Sequence, residues 1–333
     1  MKEVNFKYHN YLKRAKELKN FDLDNLKYEK GKIVVIDKTK PGCLVSPIVK
    51  THKFPKLTGC WSAITNTKDT IELMIQIMYK GKMSKYFTYG EWGLYGENLY
   101  YNQDDEFVRM DVDEILMKDN LLGEGFRYKV ILHNDCKLSL INIALKLNDY
   151  TYKVKDECLP SYVDYDIVKL NQVEVPVIGH EMCSATTSTM LLKFKGFDFS
   201  DKDSEFEHRY VASLVADNGH HAPTYGNWVF NTAAMSAFGF DAYVARQYSW
   251  EELKYHLAKV GPVGASIKGD TGLYKTGGHL IVVRGYKIVD GKTYVLCNDP
   301  YIDSRYGEGL YVYYEFPLDV FMKFHRGVVY IVE

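Results

Sequence analysis

An excess of charge of either sign is nearly absent from this sequence. Its 42 Lys and Arg are offset by 43 Asp and Glu, a formal net charge of -1. That leaves no electrostatic footprint for nucleic acid or an anionic membrane. No run of residues approaches the roughly 20 apolar positions of a membrane-spanning helix. The first residues, MKEVNFKYHNYLKRAKELKNF, are charged throughout and lack the apolar centre of a signal peptide. A cytoplasmic protein is the default expectation, and a secreted one follows only if the chain is a trimmed mature form. Cysteine is sparse and scattered: Cys43, Cys60, Cys136, Cys158, Cys183 and Cys297 form no CxxC pair. This excludes a disulfide framework or a zinc site of standard spacing and fits a reducing compartment. No internal repeat or low-complexity tract is present, and no cofactor or metal is implied.

Aromatic residues, by contrast, are plentiful, with 28 Tyr and 16 Phe. They suit β-rich structure and a sugar- or peptide-binding surface. Residues 1–30 read as an N-terminal helical segment, because 5–20 place Tyr8, Tyr11, Leu12, Ala15 and Leu18 in an amphipathic pattern. Short β-like runs follow: KIVVID, GCWSAI, IELMIQIMY, KYFTYGEWGLY, FVRMDV, FRYKVILH and LSLINIAL. Turn residues separate them at regular intervals. The spacing predicts an antiparallel β-sandwich over 31–150, with a core drawing on Trp61, Ile71, Leu73, Ile75, Ile77, Tyr128, Val130 and Leu132. Residues 151–172, with mixed charge and Pro160, read as a linker.

After the linker the pattern changes. Helical periodicity appears at 183–195, 204–216, 227–238 and 249–259, then strands in VGASI, HLIVVRGY, TYVLCNDP, GLYVYYEF and GVVYIV. Helices first and antiparallel strands last describe an α+β domain over 173–333. Three residues there carry chemistry. Cys183 opens the apolar helical segment CSATTSTMLLKF, where orphan N–H groups favour a thiolate. His279 follows two glycines that permit close backbone approach and precedes the buried run LIVV, placing an imidazole where the sheet meets a cleft. Asp299 lies beyond a turn at Asp290-Gly291. If that pair is a two-residue hairpin loop, strict alternation places Asn298 on the His279 face; a bulge or longer loop brings Asp299 there instead. A thiol, an imidazole and a carboxamide or carboxylate in this order form the cysteine version of a hydrolase triad.

The stretches CSATTSTMLLKFKGF, YGNWVFNTAAMSAFGFDAYVAR, SWEELKYHLAKVGPVGASI, GGHLIVVRGY and YVLCNDPY, in this order over about 173–333, resemble the papain-like cysteine peptidases of the bacteriocin-leader-processing type. The likeness is to the stand-alone branch of that family. GCWSAI, KMSKYFTYGEWG and VRMDVDEIL resemble the N-terminal β-sandwich that some members carry. The resemblance implies a papain-like domain with Cys183 as nucleophile, His279 as general base and acid, and Asp299 as orienting carboxylate. The family also places a Gln before the nucleophile as an oxyanion donor. The matching segment here reads VPVIGHEMC, with His180 at that place and fewer intervening residues. Gln172 lies eleven residues upstream of Cys183 and reaches the site only if the chain folds back.

The leading expectation is a cysteine peptidase or amidase acting on a peptide or amide bond through an acyl-enzyme. A peptide- or glycan-binding protein with little hydrolysis and a transglutaminase-like acyltransferase are the alternatives, and the N-terminal domain is the place for a second ligand. His220, His221, Tyr225, Trp228 and Asn298 are expected to line the cleft. The adjacent histidines have no carboxylate or Cys at metal-ligand spacing.

Overall fold

In the strand Ile71–Tyr79 apolar and polar residues alternate, and Ile71, Leu73, Ile75 and Ile77 are fully buried. The strand Gly123–Leu132 runs antiparallel beside it, setting Leu132 against Ile71, Val130 against Leu73, Tyr128 against Ile75 and Phe126 against Ile77. With Trp61, these residues make the apolar core that alternation predicted, and none is accessible. The computed structural model describes residues 2–4, 9–96, 103–148, 150–152, 158–219, 223–301 and 313–333. The chain forms two units, Met1–Tyr150 with Ala216–Arg246, and Thr151–Val215 with Gln247–Glu333.

The first unit is an antiparallel β-sandwich. Its seven-stranded sheet runs Lys82–Met83, Ile71–Tyr79, Gly123–Leu132, Gly42–Val45, Asp22–Asp24. Phe87–Trp92 also pairs with the second of these strands and Val49–Phe54 with the third. The eight-stranded sheet runs Gln103–Asp104, Val108–Asp111, Glu114–Met117, Lys56–Ile64, Lys137–Lys146, Lys32–Val35, Leu26–Glu29. The sheets meet where Gly59 donates its N–H to the Tyr89 hydroxyl at 2.8 Å and Trp61 packs on Tyr89 at 6.2 Å. A Cβ at Gly59 would lie 2.3 Å from Ile75 Cδ1, so the close approach requires glycine.

The N-terminal segment departs from the expected helix. Asn10–Arg14 is a strand paired with Leu140–Ala144, and only Ala15–Leu18 is helical. An available edge on Lys137–Lys146 outweighs the helical periodicity, because pairing there satisfies backbone groups at once.

Lys56–Ile64 and Lys137–Lys146 are buried along almost their whole length rather than on alternate residues. The face turned away from the sandwich core is covered by the excursion Ala216–Arg246. Its strand Ala242–Arg246 is held along one edge by side chains instead of a neighbouring backbone. Ser62 Oγ accepts from Ala242 N–H at 2.9 Å and donates to the Ala242 carbonyl at 2.5 Å. Val244 N–H donates to Cys60 Sγ at 3.2 Å, and its carbonyl accepts from Asn142 Nδ2 at 2.8 Å. Arg246 N–H donates to Asn10 Oδ1 at 2.8 Å, and its carbonyl accepts from Asn10 Nδ2 at 2.9 Å. The Arg246 guanidinium is buried and paired with Glu114, which also meets Lys56.

The second unit is α+β, as its sequence pattern implied. The helices are Cys183–Phe194, Glu207–Val215, Trp250–Lys259 and the short Leu318–Phe324. Ser249 and Glu252 close a capping box on the third. The sheet runs His325–Val332, Val263–Asp270, Lys275–Val289, Lys292–Asn298, Tyr313–Pro317, with Tyr162–Asp164 also paired to Lys275–Val289. Part of the expected linker is therefore bound into this sheet. Ser161 accepts from Ile288 N–H at 2.8 Å, Tyr286 donates its hydroxyl to Pro160 at 2.6 Å, and Tyr165 N–H donates to Arg284 at 3.0 Å.

Replacing Ser62 with alanine leaves the Ala242 N–H and carbonyl buried without the hydroxyl. We expect a loss of about 1–3 kcal/mol for each group that finds no substitute partner. Urea denaturation of the Ser62→Ala protein should show a lower midpoint with an unchanged slope, and an unchanged midpoint would refute the role of this contact.

Candidate active site

Cys183 is the first residue of its helix, and the preceding Met182 supplies no side-chain cap. The N–H groups of the first turn are thus free of a capping side chain. From Ser184 to Leu192 the helix is buried, which the sequence CSATTSTMLL tolerates because each hydroxyl has a partner. Thr186 and Thr189 bond back to Met182 and Ala185, and Ser184 Oγ meets the Tyr330 hydroxyl at 2.6 Å. Thr187 Oγ1 donates to the Leu280 carbonyl at 3.1 Å, while the Leu280 N–H bonds the Cys183 thiol. Cys183 and Thr187, four residues apart, share one helix face and grip both backbone groups of the residue after His279. A Cβ on Gly264 would meet Thr187 Cγ2 at 2.9 Å, so this glycine admits the helix. Gly277 and Gly278, expected to permit such an approach, are exposed with open space where a Cβ would stand.

The hairpin after His279 resolves the choice between Asn298 and Asp299. Val289 pairs with Lys292, so Asp290-Gly291 is a two-residue loop, with both residues at positive φ. The register then shifts by one residue between Val283 and Gly285. Arg284 is the extra residue of a bulge, and beyond it Val283 pairs with Cys297 and Val282 with Asn298. The shift turns Asp299 to the His279 face. Asp299 Oδ1 lies 2.7 Å from His279 Nε2. Asn298 faces the other way, donating to the carbonyls of Ile167 and Val168 at 3.2 and 3.3 Å. With Nε2 engaged by Asp299, Nδ1 is the ring nitrogen left for the thiol, and Cys183 hydrogen-bonds the imidazole.

The electrostatics of the trio follow from these contacts. Burial favours the neutral form of the Cys183 thiol, but the His279 charge, its hydrogen bond and the Leu280 N–H together outweigh it, and the thiol titrates below its ordinary range. Burial likewise works against a charged His279, yet the Asp299 carboxylate and the Cys183 thiolate raise the imidazole to about 10. Both directions favour a thiolate–imidazolium pair at neutral pH. Asp299 also accepts the Tyr274 hydroxyl on Oδ2 and the Tyr301 N–H on Oδ1, the latter at 2.9 Å. The Tyr274 and Tyr301 rings stand 5.9 and 6.2 Å from the imidazole. The NDPY run held a signal for Tyr301; Tyr274 belongs to a loop with no motif.

The segment before the cysteine does fold back. It passes through Gln172–Glu174 and Gly179–Glu181, both single 3₁₀ turns. A three-residue turn lies between them, in which Ile178 N–H donates to Pro176 at 2.9 Å across Val177 at φ 72°. Gln172 is buried and spends one amide hydrogen on the Gly179 carbonyl at 2.7 Å. His180 is exposed, its ring 6.1 Å from that of Tyr301. Tyr225 and Trp228 belong to the sandwich unit. Trp228 is a packing residue there, buried beneath the Arg246 guanidinium, with its backbone N–H on Asp113 Oδ2 at 2.6 Å. His220 and His221 lie outside the described residues. Among the described residues no His, Cys, Asp and Glu cluster suits a metal ion, and no helix is long and apolar enough to cross a membrane.

Residues 165–316 match the Peptidase_C39 like family. The matched span holds Cys183, His279 and Asp299 together, and it makes this part of the chain a cysteine-type peptidase domain, a hydrolase by class. No curated protein matches the sequence. Among solved structures, a protein described as a C39-like peptidase from Bacillus anthracis is 14% identical over 52% of this chain and 98% of its own, with a TM-score of 0.35. The digestive procathepsin L 3 of Tenebrio molitor larval midgut is 13% identical over 54% of this chain and 71% of its own, with a TM-score of 0.34. The procathepsin L2 proteinase from the same tissue is 15% identical over 56% and 70%, with a TM-score of 0.32.

A preformed ion pair has a pH signature. A free thiol near 8.5 gains about tenfold or more in alkylation rate between pH 7 and 8.5. In a preformed pair Cys183 is thiolate at neutral pH and should gain less than about twofold over that interval. The rate should fall as acid protonates the thiolate, and the imidazolium should persist until the pH approaches about 10. Iodoacetamide kinetics read by mass spectrometry at Cys183 test this; a tenfold rise between pH 7 and 8.5 would contradict the pair.

Proposed function

We propose that the peptidase domain cleaves a peptide or amide bond with Cys183 as nucleophile, His279 as base and acid, and Asp299 as the group that orients the imidazole. The observation that carries this reading is the relay of contacts from the Cys183 thiol to His279 and from His279 Nε2 to Asp299 Oδ1 at 2.7 Å. The Cys183 thiolate attacks the substrate carbonyl, and the electron pair of the C=O bond moves to oxygen. The carbonyl re-forms as His279 gives its proton to the leaving nitrogen, and the C–N bond breaks to leave a thioester on Cys183. Neutral His279 then takes a proton from water, hydroxide adds to the thioester, and the acid product departs as the thiolate–imidazolium pair returns. The uncapped first turn of the Cys183 helix suits the developing oxyanion through the Cys183 N–H. His180, exposed beside Tyr301, is the side-chain donor we assign to the same oxygen.

A carboxylate supports an imidazolium better than an amide does, by a charge-assisted bond of about 1.5–3 kcal/mol. Asp299→Asn should therefore lower turnover of a peptide amide about ten- to hundred-fold. Asn298→Ala should change it little, because that side chain serves Ile167 and Val168. Cys183→Ala should abolish turnover. Steady-state kinetics on a peptide-amide library select the substrate and measure these effects. Acyl transfer to an added amine in preference to water would move the reading to a transglutaminase-like enzyme, and intact Cys183 with no turnover of any substrate would move it to a binding protein.

The sandwich unit offers a place for a second ligand. A cavity of about 780 Å³ there is lined by Tyr11, Phe21, Lys13, Glu17 and Arg127 among others. Aromatic faces beside charged groups of both signs suit a peptide or glycan.

A further inference from the structure

The second oxygen of the Asp299 carboxylate is occupied, and its partner lies on a loop that no motif marks. Val263–Asp270 and Lys275–Val289 form a hairpin in which Asp270 pairs with Lys275, leaving Thr271–Tyr274 as the loop. The loop is braced from within. Thr271 Oγ1 accepts the N–H groups of Leu273 and Tyr274 at 3.2 and 3.1 Å and donates to the Tyr274 carbonyl at 3.0 Å. Thr271 N–H donates to that same carbonyl at 3.0 Å, and Asp270 Oδ1 accepts from Gly272 N–H at 2.9 Å. Gly272 takes a left-handed φ of 85° that closes the turn. Tyr274 is thereby delivered with its hydroxyl on Asp299 Oδ2 and its ring edge-on to the imidazole, at 5.9 Å and 81°.

We propose that Tyr274 is a positioning residue of the reaction, acting through Asp299 by locking the carboxylate so that Oδ1 stays on His279. The proposal rests on the Cys183–His279–Asp299 reading and adds a fourth member to it. His279 and the Tyr301 N–H hold only Oδ1, and a carboxylate held on one oxygen can swing about its Cβ–Cγ bond; held on both it cannot. The hydroxyl also stabilises the carboxylate as an anion in a buried place, where an unsupported charge is costly. Burial and the adjacent carboxylate both push the phenol's titration upward, so it remains a donor wherever the enzyme works.

The ionisable groups around this cluster define what a change at Tyr274 alters. Among the described residues these are Cys183 from the helix, His279 from its strand, Cys297 from the next strand and Asp299 just beyond that strand's end. Cys297 is buried and its thiol is pushed up by that burial, so it stays neutral. His180 faces Tyr301 from the segment before the helix. A weaker hold on Asp299 lowers the stability of the imidazolium, and a less stable imidazolium raises the thiol. The pH window of the thiolate–imidazolium pair should narrow from both sides.

The test is the rate of Cys183 alkylation by iodoacetamide from pH 4 to 10 in the full chain, for the wild type, Tyr274→Phe and Thr271→Val. The phenylalanine keeps the ring and removes only the hydroxyl. Its acid limb should rise by about one pH unit, so that at pH values below both midpoints its rate is about tenfold below wild type. The rate at the alkaline plateau and the melting temperature should stay close to wild type, which separates positioning from loss of fold. Thr271→Val, remote from the reacting atoms, should move the limb in the same direction by less, and it carries the test if Tyr274→Phe does not fold. Profiles that superimpose on the wild type in both variants overturn the role of Tyr274 and leave the triad standing. A wild type with no thiolate plateau at neutral pH overturns the triad reading itself.

Discussion

A strand that carries one residue more than its partner turns every later side chain to the opposite face, and in this chain the turn happens at Arg284. Without it, the two-residue loop at Asp290-Gly291 would set Asn298 beside His279 and send Asp299 away. The extra residue is held in place on both sides. Its carbonyl takes the Tyr165 N–H, and its guanidinium meets Asp164. Gly285 beside it has Val163 O only 2.0 Å from where a Cβ would stand, so no other residue admits that strand. The strand Tyr162–Asp164, drawn from a stretch that reads as linker, thus secures the bulge on which the His279–Asp299 contact depends.

The site is electrostatically closed upon itself. A helix start and the imidazole hold the thiol, the carboxylate holds the imidazole, and the Tyr274 hydroxyl and Tyr301 N–H hold the carboxylate. Each charge is buried or half-buried beside an opposite charge or a donor, as interior ionic groups require. The helix that carries Cys183 lies close on the sheet because Ser184 and Thr187 bond to Tyr330 and Leu280 and Gly264 clears the way.

Much of this was legible in the residues. Period-two alternation in IELMIQIMY and FRYKVIL marks the sandwich core because one face of each strand is buried. SWEE marks a helix start because Ser249 and Glu252 bond each other's backbone. CSATTSTMLL marks a buried helix opened by a thiol. The unread parts depend on residues far apart in the chain. Asn10–Arg14 has helical periodicity but finds a sheet edge more than a hundred positions away. The choice of Asp299 hangs on one unpaired residue, and nothing in RGYKIVDGKTYVLCND marks where the extra residue goes. The patterning of GCWSAI reads as a strand, whereas the reason for its buried Cys60 and Ser62 appears only when Ala242–Arg246 is laid beside them.

That arrangement bears on the order in which the protein can form. The sandwich unit is discontinuous in the chain, and the side chains of Asn10, Cys60, Ser62 and Asn142 find their partners only in residues 242 to 246. A nascent chain usually completes its N-terminal unit while the rest is still on the ribosome. Here the outer face of Lys56–Ile64 and Lys137–Lys146 must wait, uncovered, while Cys183 and its helix are already made. The Cys183 thiol therefore emerges before the sandwich is finished and before its partner His279 exists, so this cluster is among the last features of the molecule to be assembled.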